Sequence, residues 1–574
     1  MRNKEVAQKF YELAGLSELA EENPFKARAY LEVAQQIENL PVPVENLARE
    51  GKLTSIKGVG EASANKILQY LNTGRIDKLE ELKKKIPESL LELKKIPELG
   101  ARRTKILFDT LGIQSVESLE KAAMQGKIRN LPGFGEKIEK KILKGLEDIK
   151  NRQSERISIG IALPLAESIV DELKKYSSVE KIEICGSIRR MKRTIGDIDI
   201  LVASNNPVSV MDEFVSLGMV KNVIVKGEKK SSILSTENIQ VDLRVVRRES
   251  FGAAIQYFTG SKEHNIKIRE LASKRNLKIN EYGVFNLGTN KCIASETEES
   301  IYESIGLQWI PPEMREDKGE IELAIEGKLP KLIELTDIKG DIHLHSLYSD
   351  GINSIEEMTQ QAIKLGYNYI VMTDHARALS VANGLSIERY REEKKEIEQL
   401  NRKFAPFKIF LGAELNILSD GRIDFSDEEL NLFDICLAGI HSGMNQERER
   451  ITNRIINAMS HRGVRVITHP MGGIIGWRNN YDVDLDSVFR EAKKRNIVVE
   501  INASPQRLDL DDINARKAKE IYNLNFEIGT DAHSIDGMKD MRYGVGVARR
   551  AWLTKDDVIN TFSLEKFKEF IDKR

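Results

Sequence analysis

At 574 residues, with 41% hydrophobic and 31% charged side chains, the chain is too long for one core and too apolar for disorder, so about three or four folded domains are expected. No apolar run is long enough to span a bilayer, and the three cysteines (Cys185, Cys292, Cys436) lack pairing or zinc-like spacing, which fits a reducing, cytoplasmic setting. The 88 basic and 89 acidic residues leave a net charge of −1, but clusters such as Lys83–Lys85 and Arg102–Arg103 keep a polyanionic partner open.

The start, MRNKEVAQKFYELAG, reads as an amphipathic helix rather than a signal peptide. To about residue 150 the pattern stays helical and is cut by three similar turns, LTSIKGVGEASANKIL, LKKIPELGARRTKIL and IRNLPGFGEKIEKKIL. Each joins an apolar residue, a glycine hairpin and a helix with basic residues in its first turns. Glycine lets the backbone approach closely, and N–H groups at a helix start face an anion. Phosphate binding is therefore expected at Gly58, Gly60, Gly133 and Gly135, against simple helix packing as the alternative. In the middle copy Glu98 replaces the first glycine, which leaves its function open. Together the three turns resemble the helix-hairpin-helix repeats of DNA-repair proteins, which grip the phosphate backbone without reading sequence.

The next segment, VEKIEICGSIRRMKRTIGDIDILVA, holds an apolar strand ending in Gly186 and Ser187, an arginine pair, and a second apolar strand carrying Asp197 and Asp199. Residues two apart on a strand leave the same face, and two buried carboxylates side by side need compensating charge. A third, Asp242, stands in the apolar run NIQVDLRVV. Three carboxylates on adjacent strands suit two divalent cations, Mg²⁺ or Mn²⁺, with Gly186, Ser187 and Arg190 holding a triphosphate. The alternative is a calcium site or an acidic loop.

These residues resemble the nucleotidyltransferase palm of family X DNA polymerases, related to DNA polymerase beta, and the match runs on through VDLRVV, GAAIQYFTGSKEHNIKIR and NEYGVF. The resemblance implies that Gly196 belongs to the nucleotide site and that Tyr257, Phe258 and Gly260 line the incoming sugar. It also places Asn265 and Arg269 at the nascent base pair and template. Lys262 departs from the vertebrate pattern, where an acidic residue stands. Upstream, Tyr30 and Lys66 match positions lining the family's 5′-phosphate pocket, where a lysine can form a Schiff base with an abasic sugar. Ala62 replaces a second lysine expected there, so 5′-phosphate docking is expected ahead of lyase chemistry.

Six of the eight histidines stand at the ends of β-like runs between 343 and 533, in DIHLH, YIVMTDH, ICLAGIH, VRVITH and FEIGTDAH; IFLGAE and IVVEIN are similar runs ending in Glu414 and Asn502. Strands alternating with helices, with ligands always at the strand's C-terminal end, predict a barrel of about seven β/α units with a site at its mouth. His343, His345, Asp350, His375, Glu414, His441, His469, Asp531 and His533 are too many ligands for one zinc and suit two or three Zn²⁺, Mn²⁺ or Fe ions. Such a cluster serves phosphoester hydrolysis. His264 and His461 are expected to be non-ligands.

The motifs GDIHLHSLYSDG, TDH, GAE, IHS, THP and GTDAH resemble the polymerase-and-histidinol-phosphatase (PHP) domain. The resemblance implies that His343, His345, Glu414 and Asp531 hold one metal, that Glu414 bridges to a second held by His441 and His469, and that Asp350, His375 and His533 hold a third. Met471 and Gly473 stand where relatives usually place Thr and Arg.

The expected architecture is multidomain: an all-α helix-hairpin-helix front end, an α/β nucleotidyltransferase palm and thumb, and a C-terminal distorted (β/α)7 barrel. Its boundaries are 1–85 (5′-phosphate binding), 86–150 (DNA binding), 151–250 (palm), 251–312 (thumb), 313–336 (a linker separating the two engines) and 337–574 (barrel). The resemblance implies a gap-filling repair polymerase acting on gapped or nicked DNA and dNTPs; a monomer with no membrane partner is expected, though the sequence does not set the oligomeric state. Its barrel would be a 3′–5′ exonuclease, and AP-endonuclease activity is left open. Two alternatives are a barrel acting on small phosphomonoesters and a DNA-binding scaffold with weak catalysis.

Overall fold

The computed structural model describes residues 3–20, 22–38, 40, 43–56, 58–94, 96, 99–143, 146 and 156–573. Glu98, singled out in the middle hairpin, lies outside the described residues. Two compact units divide the chain: Met1–Arg156 with Ile266–Arg275, and Ile157–Asn265 with Asn276–Arg574.

The first unit contains no strand among its described residues. Helix Asn3–Leu19 buries Val6, Phe10, Leu13 and Leu16, the spacing of one helical face, as the amphipathic reading expects. The three hairpins share one backbone hydrogen bond. The apolar residue before each accepts a hydrogen bond from the N–H three residues on: Ile56 from Val59, Ile96 from Leu99, Leu131 from Phe134, each at 3.0 Å. Gly58 and Gly133 take φ of +79° and +80°, which a side chain would strain. Gly60 and Gly100 then open helices Glu61–Thr73 and Ala101–Leu111.

The second unit begins with a five-stranded mixed sheet made of β1 (Lys181–Ile184), β2 (Ile198–Ala203), β3 (Val220–Lys226), β4 (Lys230–Ser235) and β5 (Gln240–Val246), in the order β1-β2-β5-β4-β3. Only β2 and β5 run parallel. Helix Phe251–Thr259 follows, and an antiparallel sheet of β6 (Leu277–Asn280), β7 (Gly283–Asn286) and β8 (Cys292–Ala294) comes after.

Seven parallel strands form the barrel: β9 (Gly340–Leu344), β10 (Tyr369–Met372), β11 (Lys408–Asn416), β12 (Ile435–Gly439), β13 (Val464–Ile467), β14 (Val498–Asn502) and β15 (Phe526–Gly529), paired in chain order. Between the first strand and the segment leaving the last, Asp531 N–H donates to the His343 carbonyl and His345 N–H to that of Ala532, each at 3.0 Å. Nearly every strand residue is buried, because both faces are covered. One face of Tyr369, Val371, Phe410, Leu437 and Val466 packs on Phe567 and Ile571 of the C-terminal helix Leu564–Asp572, with Tyr369 and Phe567 stacked at 4.5 Å. Glu414 lies four residues beyond Phe410 on the same strand, so it shares that face.

The segment read as a linker is corrected by the structure. Met314, Arg315, Glu320, Ile321 and Ile333 are buried, and helix Glu320–Ile325 packs into the unit. Sheet and barrel also touch directly: Arg550 Nη1 donates to the Arg190 carbonyl at 2.7 Å, Arg193 Nη2 to that of Arg507 at 2.8 Å, and Arg542 meets Glu167 at 2.9 Å. A Cβ on Gly160 would lie 2.3 Å from Pro505 Cβ. Four of its charged residues, Glu313, Arg315, Glu316 and Glu320, are paired with Arg549, Glu298, Arg190 and His264.

Glu298 anchors this region, meeting Arg189 at 2.8 Å, fully buried Arg315, and Trp309 Nε1 at 3.1 Å. Burial alone would raise its carboxyl, but Arg315 and then Arg189 hold it down to about 2 from the usual 4.5. A carboxylate depressed in the fold stabilises it above the unfolded value and loses that contribution as pH falls towards the folded one. Glu298→Gln is therefore expected to lower unfolding free energy by about 3 kcal/mol at pH 7, with the difference shrinking between pH 4.5 and 2. Denaturant titrations across that range check it.

No helix among the described residues is long and apolar enough to cross a membrane. All three cysteines are free thiols, Cys185 and Cys436 buried and Cys292 exposed.

Candidate active sites

In the five-stranded sheet, the parallel pairing of β2 and β5 sets Asp199 directly opposite Asp242. Asp197 stands just before β2 and is exposed, so only Asp199 of the pair lies on the strand proper and is partly buried. Burial, then the nearby charges of Asp197 and Asp242, push the Asp199 carboxyl up to about 6. Asp242 goes the other way. Burial would raise it, but Lys230 Nζ at 2.9 Å and Gln240 Nε2 at 2.9 Å hold it below its usual range. Three carboxylates against one partly exposed lysine is a donor set that fits divalent cations.

Gly186 has φ of +64°, and a Cβ there would stand 2.3 Å from Asp199 Oδ2, so only glycine lets this turn close on the carboxylate. Ser187 follows in the short helix Gly186–Arg189, and Gly196 lies exposed just before Asp197. Arg190, expected to help hold a triphosphate, is buried, and Nε donates to Glu316 at 3.0 Å and Nη1 to the Thr259 carbonyl. In this arrangement it braces the turn at Thr259–Gly260.

Tyr257 and Phe258 end helix Phe251–Thr259, their rings edge to face at 5.2 Å, with Arg244 over Phe258 at 4.6 Å. Gly260 terminates the helix at φ +70°. Asn265 Nδ2 donates to the Tyr257 carbonyl at 2.7 Å and its Oδ1 accepts from Gln256 at 2.8 Å, so it fixes the end of that helix. Arg269 lies one turn further along helix Lys262–Lys274.

In the helical unit, Lys66 Nζ lies 5.7 Å from the Tyr30 ring centroid. Burial, then Lys26 and Lys78, hold the Lys66 amine below its usual range. Arg103 Nε donates to the Gly133 carbonyl at 3.2 Å, and Gly135 accepts from Ile138 and Glu139 at the start of the next helix.

All nine sequence-predicted ligands meet at the C-terminal end of the barrel strands. Glu414 is the hub. Its Oε1 lies 3.0 Å from His441 Nε2 and 2.9 Å from His469 Nε2, and its Oε2 lies 2.9, 3.5 and 3.7 Å from nitrogens of His375, His343 and His345. Asp531 Oδ1 stands 3.2 Å from His345 Nε2, and Asp350 Oδ1 3.2 Å from His533 Nε2 and 3.8 Å from His375 Nε2. The His345 ring stacks on those of His375 and His533 at 4.4 and 4.2 Å.

His343 Nε2, His345 Nε2 and Glu414 Oε2 are buried without a hydrogen-bond partner, yet such atoms of these three residues lie within 4.8 Å of one another. Converging buried lone pairs of this kind fit a bound cation, and imidazole with carboxylate fits a borderline divalent one. His345, Asp350, His375 and His533 form a second group, and His375, Glu414 and His441 a third. His264 bonds Glu320 at 2.7 Å and Tyr302 at 2.9 Å inside the core, and His461 pairs with Asp427 at 2.7 Å near the surface.

Sequence reading missed the partners that orient these ligands. Glu500 places Oε1 2.5 Å from His343 Nδ1 and accepts from Thr468 and the His469 N–H through Oε2. Asn416 Oδ1 lies 2.9 Å from His441 Nδ1, and Arg507 Nε 3.4 Å from Asp531 Oδ2. A signal for Glu500 existed: it is the one charged residue in the apolar run IVVEIN. Outer partners of metal-bound histidines are worth roughly ten- to a hundredfold in affinity or rate. Glu500→Gln is expected to lose about that much hydrolysis while folding normally, checked by kinetics beside circular dichroism.

Comparison with known proteins follows the same divisions. Residues 1–76 match a helix-hairpin-helix domain, 90–148 a SAM-like helix-hairpin-helix tandem, 162–261 the DNA polymerase beta palm, 254–316 the DNA polymerase beta thumb and 341–504 the PHP domain. A beta-type palm and thumb joined to a PHP barrel is the class that fold and matches define. Over 575 aligned residues, 100% of both chains, the sequence is 39% identical to the DNA polymerase/3′-5′ exonuclease PolX of Bacillus subtilis (strain 168), and the chain belongs to that family. It is 22% identical to DNA polymerase lambda of Rattus norvegicus over 54% of this chain and 55% of that one. A probable phosphatase of Syntrophotalea carbinolica is 25% identical over 40% of this chain and 95% of its own.

Proposed function

We propose that this protein is a DNA polymerase with an attached 3′–5′ exonuclease, working on gapped DNA in repair. What carries the reading is the presence in one chain of two separate acidic sites of different donor chemistry: Asp199 opposite Asp242 in the palm, and the imidazole–carboxylate cluster in the barrel.

In the palm, Asp197, Asp199 and Asp242 would hold divalent cations, with Mg²⁺ or Mn²⁺ suited to the all-oxygen set. In the barrel the nine ligands would hold two or three ions, with Zn²⁺, Mn²⁺ or Fe suited to imidazole. Bound cations supply charge neutralisation and activation of the attacking oxygen in both reactions. The chain's own residues do the rest. Gly186 lets the turn close on Asp199, Ser187 beside it would meet a phosphate oxygen, and Tyr257, Phe258, Gly260 and Asn265 would shape the sugar and base site. Gly58, Gly60, Gly133 and Gly135 grip the DNA backbone, and Lys66 with Tyr30 docks a 5′-phosphate. The boundaries given above serve as the domain assignment, with 313–336 a packed connector.

The relatives named as probable phosphatases favour a second reading for the barrel alone, hydrolysis of small phosphomonoesters. One assay separates the two. A one-nucleotide-gapped duplex with a labelled primer is incubated with Mn²⁺, with and without dNTPs, beside Asp242→Ala and His343→Ala. Lengthening lost only in Asp242→Ala and shortening lost only in His343→Ala is the expected pattern. Lengthening with no shortening in any protein removes the nuclease and leaves the phosphomonoesterase.

A further inference from the structure

We propose that Trp477 is a stacking platform for a nucleobase of the strand trimmed at the barrel, a positioning residue for the nuclease reaction; the inference rests on the nuclease reading above. Trp477 is 78% exposed. The other two tryptophans are engaged: Trp309 Nε1 donates to Glu298, and Trp552 is buried beneath Arg516 at 3.4 Å. The Arg478 guanidinium lies over the Trp477 ring at 5.9 Å, and most of the indole stays in water, able to offer its flat surface to a ligand.

The loop that carries it is held in place. Ile474 and Arg478 exchange backbone hydrogen bonds at 2.8 and 2.9 Å, closing a tight hairpin with Trp477 near its tip. Arg478 Nε donates to the Gly472 carbonyl at 3.0 Å, and Met471 and Gly472 N–H donate to Asp509 at 3.0 and 2.8 Å. The Ile475 N–H donates to the Gln506 carbonyl at 2.7 Å. The hairpin is thereby tied to the segment that follows His469 and to the one that brings Arg507 to Asp531. The backbone that carries His469 therefore also carries this hairpin, and the segment that holds it runs on to Arg507 and Asp531.

Exposed apolar side chains also stand close in sequence to other candidate ligands. Leu347 and Ile352 bracket Asp350 and are exposed, and Val381, six residues past His375, is exposed too. Apolar side chains around a site for phosphodiester cleavage suit the flat faces of bases, and the Arg478 guanidinium, 5.9 Å from the Trp477 ring, lies near enough to meet the adjoining phosphate. Stacking on an aromatic face is sequence-tolerant, as trimming any 3′ end requires.

The test compares the full chain with Trp477→Ala and Trp477→Phe on a labelled single-stranded oligonucleotide and on bis(p-nitrophenyl) phosphate, a diester with no nucleobase, all with Mn²⁺. Trp477→Ala is expected to raise KM for the oligonucleotide roughly tenfold, with kcat little changed, so the ratio of oligonucleotide to small-diester efficiency falls by about that factor. Trp477→Phe should recover most of it. Titration with unlabelled oligonucleotide in EDTA should quench tryptophan emission in the wild type and much less in Trp477→Phe. Equal losses on both substrates, or an unchanged oligonucleotide KM in Trp477→Ala, would overturn the proposal. A wild-type protein that hydrolyses the small diester and leaves DNA intact would remove the nuclease reading itself, and the platform with it.

Discussion

Glu414→Gln is expected to abolish trimming of DNA 3′ ends, by more than about a thousandfold, and to leave primer extension unchanged. The loss exceeds the ten- to hundredfold typical of an outer partner because Glu414 lies within 4 Å of five imidazoles, His343, His345, His375, His441 and His469. Burial would raise its carboxyl, but His441, His375 and His343 hold it well below the usual range. Glutamine keeps the shape and removes the charge, and its amide N–H groups would face ring nitrogens. Removing one member of a buried charge cluster costs about 3–5 kcal/mol, so the variant should also unfold at lower temperature and retain less metal after dialysis. Trimming rates, elemental analysis and a thermal scan test this together; near-normal trimming with full metal content would show that Glu414 bridges nothing.

Asp242→Asn is expected to cut nucleotide addition on the order of a thousandfold, with trimming unaffected. Asp242 faces Asp199 across the parallel β2/β5 pair, and the two carboxylates act on the same cations under the reading proposed here. Groups that act as a unit are not additive. The double variant Asp199→Asn/Asp242→Asn should therefore be scarcely slower than either single one. Single-turnover extension of a gapped primer measures all three; multiplied losses in the double variant would mean that the two carboxylates serve separate steps.

The candidate site residues were legible because strands advertise them. A carboxylate or histidine in an apolar run is expensive to bury, so Asp199, Asp242, Glu414 and the strand-end histidines stand out with no knowledge of the fold. The glycine hairpins were legible for a similar reason: a left-handed turn before a helix needs glycine at Gly58 and Gly133. What a local pattern reports is the face a residue occupies, and it is silent about who stands opposite. The DID motif shows this limit: Asp197 lies close enough for its charge to raise the Asp199 carboxyl, but that Asp242 stands opposite Asp199 across the sheet is not written in the motif.

By itself, then, the sequence picked out three palm carboxylates and nine barrel residues as candidate ligands, since each rests on residue type at short spacing, while the order of domains came from the resemblance those motifs carry. Only the tertiary structure decided their partners. Glu500 reaches His343 across 157 residues of chain, Arg550 reaches the Arg190 carbonyl across 360, and Arg190 itself is engaged by Glu316 and Thr259. The segment from 313 to 336 reads as a linker separating two engines because its charges are visible in sequence and the counter-charges of Glu313, Arg315 and Glu316 are not. Closure of the barrel, with Asp531 bonded to the His343 carbonyl, is what turns ligands at the ends of separate strands into one site. Such contacts depend on how strands and loops distant in sequence are packed together, which no periodicity within one segment records.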